Sequence, residues 1–104
     1  MVADIETVNA VATDYANLIR SLYPVEKAYL FGSYAKGCPH KDSDVDICFF
    51  LRDFGGRPAF DVDVEIFSLS HRYDLYLEPH VMETSDLTND NPFVKEILRT
   101  GYEI

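Results

Sequence analysis

The stretch from Val25 to Leu51 restricts this chain more than any other. Val25 to Phe31 ends in the apolar run Ala28-Tyr29-Leu30-Phe31 and reads as a strand, which Gly32-Ser33 breaks. Ser33 is a good helix cap, so Tyr34-Ala35-Lys36 should form one short turn before Gly37 stops it. Cys38 to Asp42, with Pro39 inside, reads as a loop. Asp44 to Leu51 then alternates as a second strand. Val45, Ile47, Phe49 and Leu51 lie on one face, and Asp44, Asp46, Cys48 and Phe50 on the other.

The flanking segments supply helices and a further strand. Ile5, Val8, Val11, Tyr15, Leu18, Ile19 and Leu22 recur at three- and four-residue steps, which predicts an amphipathic helix that Pro24 ends. After the Gly55-Gly56 loop, Phe60, Val64, Phe67 and Leu69 suggest the apolar face of a second, less regular helix. Tyr73 to Leu77 reads as a third strand, with Asp74, Tyr76 and Glu78 on its polar face and Pro79 limiting its pairing. Asn91-Pro92 opens a last helix through Leu98, and Gly101 follows its end. Helix and strand alternate, so the expected class is α/β (α+β), a small sheet covered by helices, with residues 1–104 as one domain.

Charge narrows the partners. A formal net charge of −9 argues against gripping a nucleic-acid backbone, which needs clustered Lys and Arg. It is compatible with a nucleoside triphosphate if divalent cations lie between the phosphates and the carboxylates. No apolar run approaches the ~18 residues of a membrane helix, and the N-terminus, with Asp4 and Glu6, lacks a signal-peptide pattern. Cys38 and Cys48 are too few for a disulfide framework, so the expectation is a cytoplasmic protein with reduced thiols. His40, His71 and His80 show no zinc-ligand spacing with the cysteines, and His80 reads as a hydrogen-bonded surface residue, with a place in the lining of the site as the alternative.

The chemistry centres on Gly32-Ser33 and the acids that follow. Glycine lets the backbone approach a ligand closely, and the start of a helical turn aims amide donors at it. Ser33 adds a hydroxyl, and Lys36, one turn on, can give a point charge to a phosphate oxygen. Asp44 and Asp46 project from one strand face, where two unpaired carboxylates repel. Mg²⁺ relieves that repulsion, because it takes oxygen ligands and shares substrate phosphates. Two such ions can activate an attacking oxygen and steady a leaving pyrophosphate. A third carboxylate from a neighbouring strand would complete the site, and Asp74 and Glu78 are the candidates. Asp42, Asp61, Asp63 and Glu65 read as turn or solvent-facing acids, and Lys41 as a solvated charge.

Gly32-Ser33, ten residues, then Asp44-Val45-Asp46 resembles the signature of the polymerase β-like nucleotidyltransferase superfamily. The fuller pattern, Phe31 to Gly37 and Ser43 to Ile47, is similar to its minimal nucleotidyltransferase (MNT) group. Later stretches, Leu77-Glu78-Pro79-His80 and Asn91 through Gly101, resemble small members of that group. At average residue frequencies the four fixed positions coincide by chance in about one protein in a thousand of this length. The resemblance implies a small mixed sheet flanked by helices, triphosphate binding at Gly32, Ser33 and Lys36, and metal held by Asp44 and Asp46. Tyr73-Asp74-Leu75-Tyr76 matches the family's third-carboxylate strand, so Asp74 is preferred, with Glu78 as the alternative. Lys36 stands where the family usually has arginine, keeping the charge without the two-pronged fork.

The implied activity is Mg²⁺-dependent transfer of a nucleoside monophosphate, AMP from ATP, onto an acceptor. Larger relatives recognise the acceptor with a second domain, for which the stretch after the third strand is too short. The acceptor surface is therefore expected from another protein. The resemblance points to a helical HEPN-type partner, with this chain as the antitoxin of a toxin–antitoxin pair; homo-oligomerisation stays open. The competing expectation is a nucleotide-binding antitoxin that neutralises its partner by contact alone.

Overall fold

The computed structural model describes residues 3–39, 44–88 and 90–104. The readings of His40, Lys41, Asp42 and Ser43 lie outside the described residues.

Helix α1 runs Ile5–Leu22. The Asp4 side chain caps it by accepting from the Thr7 amide at 2.8 Å. Strand β1 is Val25–Phe31 and β2 is Val45–Leu51. Helix α2 is Ala59–Ser70, strand β3 is Leu77–Glu83, and a 3₁₀ turn covers Thr84–Leu87. Helix α3 is Pro92–Thr100, with Asn91 capping it and proline in its first turn, and strand β4 is Tyr102–Glu103. The sheet order is β3-β2-β1-β4. β2 pairs antiparallel with β1 and parallel with β3, while β4 pairs antiparallel with β1. The sheet is thus mixed, with helices on both faces.

The alternation of β2 separates two packing layers. Val45, Ile47, Phe49 and Leu51 join Ala28 and Leu30 under α1 and α2, where Val8, Ala12, Tyr15, Ile19, Val62 and Ile66 are fully buried. The Tyr15 hydroxyl ties the two helices by donating to the Ile66 carbonyl at 2.5 Å. On the opposite face Cys48 and Phe50 pack with Val94 and Ile97 of α3. Asp46 shares the parity of Cys48 and Phe50, so it opens toward the α3 side.

Two expectations are corrected. The third strand is Leu77–Glu83, not Tyr73–Leu77, and Tyr73 to Tyr76 form the connection into it. Tyr73-Asp74-Leu75 alternates like a strand, but among the described residues no neighbour pairs with it. Pro79 lies inside β3, opposite Ile47, which an edge strand tolerates. The inward face of α2 is Val62, Ile66 and Ser70 with Leu69 alongside, whereas Phe60, Val64 and Phe67 are exposed. Both sets recur at helical spacing, so periodicity alone cannot choose between them.

Candidate functional site

The site forms where β1 ends and β2 begins. Gly32 leaves β1 with φ of +79°, a backbone region that side chains disfavour. The chain then makes one helical turn: the Lys36 amide donates to the Gly32 carbonyl at 3.0 Å, and the Cys38 amide to the Ser33 carbonyl at 3.0 Å. Tyr34 is buried inside that turn, and its hydroxyl accepts from the Ala3 amide at 3.4 Å. Gly32 is required for a second reason. A Cβ there would overlap the Asp46 carboxylate, with Cγ only 3.1 Å away.

Asp46 lies opposite Phe31 on β1 and opposite Glu78 on β3. Asp44 immediately precedes β2. Its carboxylate lies close enough to Glu78 for the two to share a proton when one of them is protonated. Burial raises the Glu78 pKa above its ordinary value, and the Asp44 and Asp46 carboxylates raise it further, against a lowering by His80. Three acids therefore converge, and their mutual repulsion is expressed at Glu78.

His80 follows Glu78 by two residues, so both side chains share one face of β3. Its imidazole is half-buried and stands edge-on to Phe31, centroid to centroid 5.1 Å, and 5.6 Å from Phe93 of α3. Nε2 lies 3.6 Å from Asp46 Oδ1 and 3.9 Å from Glu78 Oε1. Asp46, Glu78 and His80 each offer one ligand atom, and the three atoms lie within 4.8 Å of one another. Their chemistry and spacing fit a divalent cation. A cleft of about 510 Å³ opens beside them, lined in part by Asp63, Phe67, Glu78, His80 and Phe93.

Asp74 is elsewhere. It is exposed and lines a separate hollow of about 180 Å³ with Phe67, Ser70 and His71. Lys36 is exposed at the end of the turn, 3.5 Å from Glu96 Oε1 on α3. The buried Cys48 thiol, two residues beyond Asp46, is pushed up to about 12 by burial and by Asp86, so it stays protonated. Sequence reasoning passed over His80 as a ligand. The signal was its two-residue step from Glu78, readable only once β3 is placed at Leu77–Glu83.

A mixed sheet with Asp46 at the start of its second strand, Asp44 just before it and a glycine bend beside them is the arrangement expected of the nucleotidyltransferase class. The nucleotidyltransferase-domain family model matches residues 14–100, and the chain belongs to that family. The fold agrees with two solved structures. One is a protein of Sulfolobus solfataricus described as a nucleotidyltransferase, 20% identical, with a TM-score of 0.65 over 95% of this chain and 80% of that one. The other is described as a minimal nucleotidyltransferase, 22% identical, with a TM-score of 0.59 over 98% of this chain and 97% of that one. No protein of curated function matches the chain at a comparable level. Among the described residues, no helix is long and apolar enough to cross a membrane.

Proposed function

We propose that this nucleotidyltransferase moves AMP from ATP onto a hydroxyl of a protein partner, forming a bond from that oxygen to the α-phosphorus as pyrophosphate leaves and the hydroxyl proton is lost, and that its carboxylates would hold the divalent cations that neutralise the triphosphate. The observation that carries the reading is the convergence of the Gly32 bend, Asp44, Asp46 and Glu78 at one end of β2. In this reading Asp44 and Asp46 hold metal, two ions in the full site, and Glu78 rather than Asp74 is the third carboxylate. Glu78 is the acid in register with Asp46, while Asp74 stands outside the sheet. The Gly32-Ser33 bend and the amides of the turn orient the phosphates, and Lys36 reaches them by leaving its exposed pairing with Glu96. A bound divalent cation supplies charge neutralisation at the α-phosphate and a lowered pKa for the attacking hydroxyl. The chain itself contributes in-line positioning and exclusion of competing geometries.

A protein acceptor is supported by the surface next to the cleft. Phe60, Val64 and Phe67 form an exposed apolar stripe along α2, and Phe67 also lines the cleft that holds Glu78 and His80. A partner seated on that stripe brings a side-chain hydroxyl to the carboxylates. The acidic balance favours a partner with a basic face. This suits a helical HEPN-type toxin, with this chain as its antitoxin in the cytoplasm. The same stripe serves a second reading, in which the chain silences its partner by contact alone.

The test is incubation with labelled ATP, Mg²⁺ or Mn²⁺, and the product of the neighbouring gene. Transfer of label that Asp44→Asn/Asp46→Asn abolishes supports catalysis. Full neutralisation of the partner by that double variant supports contact alone and removes the need for transfer.

A further inference from the structure

His80 is set as a ligand rather than as a surface residue. Phe31 packs edge-on against its ring and Phe93 lies tilted beside it, so the two rings position the imidazole from outside the carboxylate cluster. Nε2 is shielded from solvent and, among the described residues, has no hydrogen-bond partner. A buried, unpaired ring nitrogen costs free energy unless something binds it. Its distances to Asp46 Oδ1 and Glu78 Oε1, 3.6 and 3.9 Å, are long for hydrogen bonds. They match the spacing of neighbouring ligand atoms around one ion, about 3–4 Å for bonds of about 2.0–2.6 Å.

We propose that His80 Nε2 coordinates the cation seated between Asp46 and Glu78, and that this mixed nitrogen–oxygen set selects a first-row transition ion over Mg²⁺. The inference rests on the proposed nucleotidyl-transfer site and specifies which metal that site takes. Mg²⁺ gains little from an imidazole, being a hard ion that dehydrates reluctantly and prefers oxygen. The divalent ions from Mn²⁺ to Zn²⁺ accept nitrogen and bind N/O sites with rising affinity. One imidazole at the ladder therefore adds to whatever preference the carboxylates alone would give.

The experiment uses Mn²⁺ alone with chelator-treated full-length protein. Free Mn²⁺ is followed by electron paramagnetic resonance, Mg²⁺ is added as competitor, and the bound ion is examined by pulsed methods for ¹⁴N coupling. The expected results are Mn²⁺ binding at least about tenfold tighter than Mg²⁺ and a ¹⁴N coupling from a directly bound imidazole. His80→Gln should lose that coupling and about tenfold in Mn²⁺ affinity, with Mg²⁺ affinity changed less than about twofold, while His71→Gln keeps the coupling. His80→Asn replaces the Gln variant if circular dichroism shows the latter misfolded. Bound Mn²⁺ without ¹⁴N coupling, or coupling that survives His80→Gln, overturns the inference and leaves nucleotidyl transfer standing. Failure of the wild-type protein to bind any Mn²⁺ overturns the inference as well, whereas nucleotidyl transfer stands or falls by the labelled-ATP assay.

Discussion

Glu78 stands directly opposite Asp46 across the parallel β2–β3 ladder. Neighbouring strands lie about 4.8 Å apart, so register alone brings these two side chains within reach of a shared ion. Asp44, just before β2, adds the third acid, and His80, two residues beyond Glu78, adds the nitrogen. One slip of β3 by a single residue would turn Glu78 and His80 to the opposite face and dismantle the cluster.

Replacing Glu78 and Asp74 in turn separates the two candidate third carboxylates. Glu78→Gln should lower transfer by about 100-fold or more, because it removes one acid from the cluster. Asp74→Asn, at an exposed position lining a different hollow, should change it by less than about threefold. Single-turnover rates with labelled ATP measure both. Equal losses would return Asp74 to the site.

Gly32→Ala tests the close approach of the bend to Asp46. The added Cβ meets both a positive φ and the carboxylate itself. Strain of this kind costs about 1–3 kcal/mol, visible as a lower midpoint in denaturant. Displacement of Asp46 by about an ångström should reduce transfer about 100-fold. Metal affinity should fall together with the rate, since the same carboxylate serves both.

The sequence made some of this legible and concealed the rest for physical reasons. β1 and α1 declare their bounds through Gly32 and Pro24, and α3 through Asn91-Pro92 and Gly101, because each of those residues imposes a local backbone preference. The acids of β2 are readable from its strict alternation. β3 is not, because Pro79 argues against a strand and only an edge position permits it. The connection Tyr73-Asp74-Leu75-Tyr76 alternates like a strand, which is why Asp74 competes with Glu78 for the third carboxylate. β4 has two residues and exists only because Tyr102 and Glu103 find Leu30 and Tyr29, a tertiary pairing with no local signal.

The two apolar stripes of α2 make opposite predictions. Ile66→Ala should destabilise the fold by about 2–5 kcal/mol, as truncation of a fully buried side chain does. Phe60→Ser, at a position 75% exposed, should stay within about 0.5 kcal/mol of wild type. Chemical denaturation of the two variants is enough to decide which face packs on the sheet. Phe60→Ser and Phe67→Ser should also weaken association with the protein acceptor while leaving metal binding intact.

A pH dependence away from the site follows from Tyr23, Glu65 and Arg57, which join the end of α1 to α2. The Tyr23 hydroxyl donates to Glu65 Oε1, and Arg57 Nη1 donates to the Tyr23 oxygen at 2.8 Å and to Glu65 at 3.3 Å. Hydrogen bonding by Tyr23, then by Arg57, lowers the Glu65 pKa below its ordinary 4.5. Burial, then the hydrogen bond and charge of Glu65, raises Tyr23 above its ordinary 10.0. The carboxylate contribution is therefore present above pH 4.5 and is lost as pH falls through the depressed folded-state value. The phenol contribution is present below pH 10.0 and is lost as pH rises through the elevated one. Tyr23→Phe removes both couplings. Its melting temperature should lie below that of wild type by a constant interval between those limits, and the interval should narrow in more acidic and in more alkaline buffer. Thermal scans of the two proteins from pH 3 to pH 11 measure it, and an interval that does not change with pH would show that the hydroxyl contributes through packing alone.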